Sequence, residues 1–270
     1  MSSKESRAPF TFSPGFAGSW LYLPAGNEKA GAVVVLHGSD GGWSGWAHWQ
    51  ALLLAGQGFI AIAPNYSKGG NLWHAGDIHA VPLDETAAVV ERLRHHPRCN
   101  GRVGLFGGSR GAEHALLLAN LMAQHAGDQN QSAQPHEIYP PDAVAAHAPH
   151  DHIVAAFFAE AHRPGANPSE SEHYDRPLPA WAWYDSSAGL EPGTPISLSH
   201  YKGPLFLSHG EADDVWSADC TRALAHQRAV AGQESATEVY LYPGEGHSLG
   251  PIAATLQAQR LKAFFTRCLS

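Results

Sequence analysis

The sequence predicts an α/β fold, a mostly parallel sheet covered by helices on both faces. Three observations predict it. Short, continuously apolar runs rich in Val, Leu and Ile recur along the chain, as strands buried on both faces require. Segments of helical periodicity separate them. With 270 residues, 44% of them hydrophobic, the chain can bury a large core.

Residues 10–23 predict an antiparallel hairpin at the sheet edge. Ala32–Leu36 is a β-branched run leading into a Gly-rich loop and a helix from about Trp46 to Gly56. Phe59–Ala63 reads as a second core strand. Leu83–His95 reads as a helix, with Ala87, Val90 and Leu93 at helical spacing. Arg102–Phe106 is the next strand, followed by a turn and the helix Ala112–His125. In that helix Leu116, Leu117, Leu118 and Leu121 predict burial over a wide face. Ala143–Ala148, Leu205–Ser208 and Val239–Tyr242 read as further strands, and helices over Asp219–Ala231 and Ile252–Thr266 complete the alternation. Residues 150–203 fall outside it. They are rich in proline and aromatic residues and too long for an ordinary connection. They read as a cap-like excursion, within a single domain over 1–270, above the carboxyl edge of the sheet. Ligands bind at that edge in open α/β folds.

The composition excludes several functions. A formal net charge of −8 disfavours nucleic acid and anionic membrane surfaces as partners. No apolar run approaches the length of a membrane span. Met1–Pro9 lacks the apolar stretch of a secretory signal, so a cytoplasmic location is expected. The three cysteines, Cys99, Cys220 and Cys268, are an odd and widely spaced set, which indicates neither a disulfide framework nor a zinc cluster. The 18 histidines make net charge vary between pH 5 and 8, a bulk property that names no function.

Chemistry is carried by the segment Val103-Gly104-Leu105-Phe106-Gly107-Gly108-Ser109-Arg110-Gly111-Ala112-Glu113. It reads as strand, Gly-x-Ser-x-Gly turn and helix. Such a turn is strained, at a cost of roughly 1–3 kcal/mol, and holds the serine hydroxyl out of the packed layers. Gly107 and Gly111 flank it because side chains would collide where strand and helix cross. A serine hydroxyl needs a base, and the base an orienting group. Gly210-Glu211-Ala212-Asp213 follows one predicted strand, and Gly244-Glu245-Gly246-His247 follows another. Ser109, Asp213 and His247 therefore occur in the chain order of α/β-hydrolases, each just after a strand. They are the candidate nucleophile, orienting acid and general base. Asp214 competes with Asp213, which stands three residues after Gly210 in a Gly-x-x-Asp turn; Asp151 is a lower-ranked alternative. Backbone N–H groups of Arg110 and Ser39, the latter in the loop His37-Gly38-Ser39-Asp40-Gly41-Gly42, are the candidate oxyanion donors.

Other features are weaker. His147-Ala148-Pro149-His150-Asp151-His152 lacks a helical i, i+4 pair, and a solvated strand end is favoured over a zinc site. No metal or cofactor is expected. Glu113 is placed to pair with Arg110 or cap its helix. Trp43, Trp181, Trp183 and Trp216 are candidate substrate-binding residues; for these, as for Trp46 and Trp49, core packing is the default.

The motifs resemble the catalytic domain of the acyl-CoA thioesterases and bile-acid-CoA:amino-acid N-acyltransferases, within the α/β-hydrolase superfamily. The matching stretches include Gly38–Gly42, Leu53–Phe59, Val81–Asp84, His96-Pro97, Gly104–Glu113, Gly210–Trp216 and Tyr242–His247. The resemblance implies an ester or thioester hydrolase working through an acyl-Ser109 intermediate on a small-molecule acyl substrate. Dienelactone hydrolases are near neighbours but usually carry a cysteine nucleophile. Family members acting on acyl-CoA carry a β-sandwich domain first; here about 30 residues precede the first core strand, too few for one. Lys68, Arg163, Arg176 and Lys202 are the candidates for local positive charge, with ordinary surface placement favoured for each. A small-molecule carboxylesterase, an N-acyltransferase and a non-catalytic binding scaffold are the alternatives.

Overall fold

The computed structural model of the protein describes residues 10–127, 138–159 and 177–270. An eight-stranded sheet forms its centre. In chain order the strands are β1 (Phe10–Pro14), β2 (Trp20–Pro24), β3 (Ala30–Leu36), β4 (Ile60–Ile62), β6 (Cys99–Gly108), β7 (Ala143–His147), β9 (Leu205–Gly210) and β10 (Thr237–Tyr242). Their spatial order is β1-β2-β4-β3-β6-β7-β9-β10. The predicted edge hairpin is β1–β2; it joins β4 antiparallel, and every later pairing is parallel.

Alternation along β3 explains the layering. Ala32, Val34 and Leu36 enter one core cluster, whereas Val33 and Val35 enter the other. The first is closed by α2 (Leu83–Arg94), α3 (Arg110–Gly127) and Leu224 of α4 (Ala218–Val230); the second by α1 (Trp46–Gly56) and α5 (Pro251–Leu269). All five predicted helices are present, within a few residues at their ends.

Part of the excursion lies among the described residues. Residues 177–203 run along the outer side of α3 and contribute Trp181, Leu190, Ile196 and Leu198 to the first cluster. This covering explains why Arg110 to Asn120 are all buried. Two residues of the excursion, Trp181-Ala182 (β8), pair in parallel with Val81-Pro82 (β5), a two-stranded sheet that local patterning did not reveal. Residues 160–176, with Arg163 and Arg176, lie outside the described residues.

Candidate active site

Ser109 sits between β6 and α3 at φ +54°, the left-handed region that costs a serine strain. The turn survives because its flanks cannot be widened. A Cβ on Gly107 would lie 1.9 Å from the Gly111 carbonyl oxygen, and one on Gly111 2.1 Å from that of Leu36. The carbonyl of Ser109 accepts the amides of Ala112 and Glu113, while its own N–H is donated to the carbonyl of His147 at 2.9 Å.

Asp213 and His247 stand on the turns after β9 and β10. His247 Nδ1 donates to Asp213 Oδ2 at 2.7 Å, and the amides of Val215 and Trp216 donate to Oδ1 at 2.8 and 3.0 Å. Burial pushes the Asp213 carboxyl up, but these donors outweigh it and hold the group below the usual carboxylate range. The competitors separate cleanly. Asp214 is exposed, and Asp151 is engaged with His152 at 3.0 Å.

Among the described residues no hydrogen bond joins Ser109 Oγ to the His247 ring, a link that in unliganded sites often forms only with substrate. His147, at the end of β7, flanks the serine: its carbonyl takes the Ser109 amide, and its ring is buried. Gln257 Nε2 donates to the ring at 2.8 Å, and Ser208 Oγ lies 3.1 Å from the same nitrogen. Burial lowers the His147 pKa to about 4, so the ring is neutral at pH 7. The sequence reading missed this role, because one histidine in an apolar strand looks like any other.

The candidate oxyanion donors lie near the serine. A Cβ on Gly38, beside Ser39, would be 3.3 Å from Ser109 Cβ. The Ser39 N–H enters no backbone hydrogen bond among the described residues. Arg110 opens α3, where an N–H has no carbonyl one turn back within the helix. Tyr66 stacks on His37 at 3.8 Å between ring centroids, and its hydroxyl donates to the His37 carbonyl, bracing the loop. His37 Nδ1–H donates to the Gly38 carbonyl, and burial lowers its pKa to about 4.

The four candidate tryptophans have different fates. Trp216 packs edge-on against His247 at 5.6 Å and His150 at 5.5 Å. Trp43 is half-buried beside His48. Trp181 is fully buried in the first core cluster, its indole N–H donated to Glu113 at 2.7 Å, so it is a core residue and no pocket lining. Trp183 lines a cavity of about 460 Å³ with Leu117, Leu121 and His200, against the second half of α3. It lies there because its segment follows that helix away from Ser109.

Glu113 behaves as expected. It pairs with Arg110 Nη1 at 2.9 Å, both side chains being buried. His150, Asp151 and His152 bring donor atoms within 4.8 Å of one another. Much of that capacity is spent locally: His150 Nδ1 accepts the His152 amide, and His152 Nδ1 bonds Asp151. Lys68 Nζ donates to the Ala80 carbonyl, and Lys202 is exposed. None of the described helices is long and apolar enough to cross a membrane.

The fold has counterparts among known structures. A truncated carbohydrate esterase from gut microbiota superposes with a TM-score of 0.63 at 17% identity, over 98% of each chain. Esterase 2 of Thermogutta terrifontis gives 0.61 at 20% identity, covering 92% of this chain and 88% of its own. The chain has the α/β-hydrolase fold. This hydrolase fold is shared with acyl-protein thioesterase 2 of Zea mays (TM-score 0.52, 21% identity, 91% and 97% covered). In sequence the chain is similar to acyl-CoA thioesterases. A peroxisomal succinyl-coenzyme A thioesterase of Mus musculus is 24% identical over 86% of the chain. Acyl-coenzyme A thioesterase 5 of the same organism is 37% identical over 38% of it, which is 23% of that relative. The chain spans only 52% of the length of the succinyl-coenzyme A thioesterase. No family model matches.

Proposed function

We propose that the protein is a serine hydrolase cleaving a carboxylic thioester or ester through an acyl-Ser109 intermediate. One observation carries this reading: the strained Ser109 after β6 and the Asp213–His247 pair, joined at 2.7 Å after β9 and β10, stand at the same edge of a parallel sheet. His247 removes the Ser109 proton as Oγ attacks the acyl carbon, and Asp213 stabilises the imidazolium that forms. Ser39 and Arg110 donate their backbone N–H groups to the tetrahedral oxyanion, an interaction worth roughly 2.7–4 kcal/mol per donor. His247 then passes the proton to the departing thiolate or alkoxide. Water repeats the sequence and releases the acid.

Acyl-CoA or a related thioester is the substrate supported by the similarity to acyl-CoA thioesterases. A second reading, a small-molecule carboxylesterase, is favoured by the net charge of −8 and by Lys68 being turned to the Ala80 carbonyl, neither of which suits a polyphosphate. Steady-state kinetics on an acyl-CoA series and a short aryl ester separate them. The thioesterase reading expects the higher kcat/KM on CoA esters; equal or lower values replace it with the esterase. In either case a fluorophosphonate is expected to label Ser109. A folded protein left unlabelled would instead be a binding scaffold.

A further inference from the structure

Four N–H groups converge on the carboxylate of Asp213. Val215 and Trp216 reach Oδ1, and His247 Nδ1 reaches Oδ2. The fourth is His209 Nε2, 2.9 Å from the same Oδ2. Four donors fill the acceptor sites of a carboxylate. The amides follow from the turn and His247 from the triad, but nothing in the triad calls for a second imidazole.

His209 is the penultimate residue of β9, and its side chain is fully buried, as is that of Asp213. Nε2 also lies 3.0 Å from the Trp216 carbonyl, and Nδ1 lies 2.8 Å from Thr221 Oγ1 of α4. A carboxylate and a carbonyl can only accept, so Nε2 carries the proton. Burial lowers the His209 pKa despite the Trp216 carbonyl and Asp213, which keeps the ring neutral at pH 7 with Nδ1 accepting from Thr221. The ring is thus held at both ends, by the helix and by the acid. Asp213, His147 and His247 are ionisable groups that act on it.

We propose that His209 is a positioning residue of the hydrolytic reaction, its Nε2–H fixing the Asp213 carboxylate that aims His247 at Ser109. The inference rests on the triad reading above. Without His209, Oδ2 keeps one protein donor and the carboxylate gains freedom to turn. It also becomes the more basic partner of His247, so the imidazolium persists to higher pH.

The test is steady-state kinetics of the full chain on a short aryl ester, comparing His209→Leu, His209→Gln and Thr221→Val. His209→Leu is expected to lower kcat about 10- to 100-fold, the range for a hydrogen bond to a charged group, with KM within about twofold. The acid limb of its kcat/KM profile moves to higher pH. His209→Gln, which can place an amide N–H near the Nε2 position, restores most of kcat. Thr221→Val, which leaves the Nε2–H in place but frees the far end of the ring, gives a smaller fall in the same direction. If His209→Leu does not fold, the Gln and Val variants decide: kcat below a tenth of wild type in His209→Gln overturns the proposal. So does wild-type kcat in His209→Leu, or an equal loss in Leu and Gln variants with an unmoved pH profile. Fluorophosphonate capture of Ser109 in the parent protein separates the two levels. An unlabelled parent sinks the triad reading, whereas a labelled parent indifferent to His209→Leu sinks only the role of His209.

Discussion

On the β9–β10 side of Ser109, the carboxylate of Asp213 and the ring of His209 have all their polar atoms bonded. On the β3–α3 side, both nitrogens of His114 and two guanidinium nitrogens of Arg110 have no partner among the described residues. Both clusters are buried, so burial does not distinguish them. The first spends each donor on setting a direction, which a proton-transfer group needs. The second is held by ring packing: His114 lies edge-on to Tyr66 at 4.6 Å and to Trp181 at 4.9 Å, with the Arg110 guanidinium 5.3 Å from the Trp181 ring centroid. There burial, aided by His37 and Arg110, lowers the His114 pKa to about 3. Saturated hydrogen bonding, rather than depth, marks the groups whose orientation the proposed chemistry uses.

The contrast can be broken in three places. The largest effect is expected from Ser109→Ala, which lowers kcat about 10⁴- to 10⁶-fold without loss of the fold. Ester turnover and circular dichroism together check it; a folded variant with near-normal turnover removes the serine from the chemistry. Next comes Glu113→Gln, which leaves Arg110 buried without its counter-ion and costs roughly 3–5 kcal/mol of stability. Urea unfolding measures it, and a loss below ~1 kcal/mol would mean that ring packing alone carries the cluster.

The smallest effect per group is the pH dependence of stability. His37, His114 and His147 have folded pKa values near 4, 3 and 4, below the ordinary histidine value of 6.5. In that interval the unfolded chain binds more protons, so stability falls as pH drops from 6.5 towards 4. Each group contributes up to ~3 kcal/mol. Thermal denaturation across this range should show Tm falling with pH, and His114→Leu should flatten the slope.

Much of the site was legible because its signals are local. A strained serine between strand and helix demands glycines at 107 and 111, and a turn acid or loop histidine announces itself by following a strand. The core strands were legible for the same reason, since apolar runs buried on both faces leave a continuous pattern. His147 and His209 were not, because a histidine in a strand carries no mark of the partner it will meet 61 to 110 residues away, or on the next turn. Trp181 was left between two readings, with core packing the default, for a related reason. An aromatic residue in a proline-rich segment suits a pocket as well as a core, and only the docking of that segment on α3 decided between them.

The amino-acid sequence alone determined the layered α/β architecture, the strand-end placement of serine, acid and histidine, and their order. These follow from backbone conformation and the two-sided burial of strands, both short-range properties. The tertiary structure decided which polar side chains complete one another: His209 on Asp213, Gln257 on His147, and Glu113 with Trp181. Hydrogen bonds depend on sub-ångström placement of groups remote in the chain, and no local pattern encodes that.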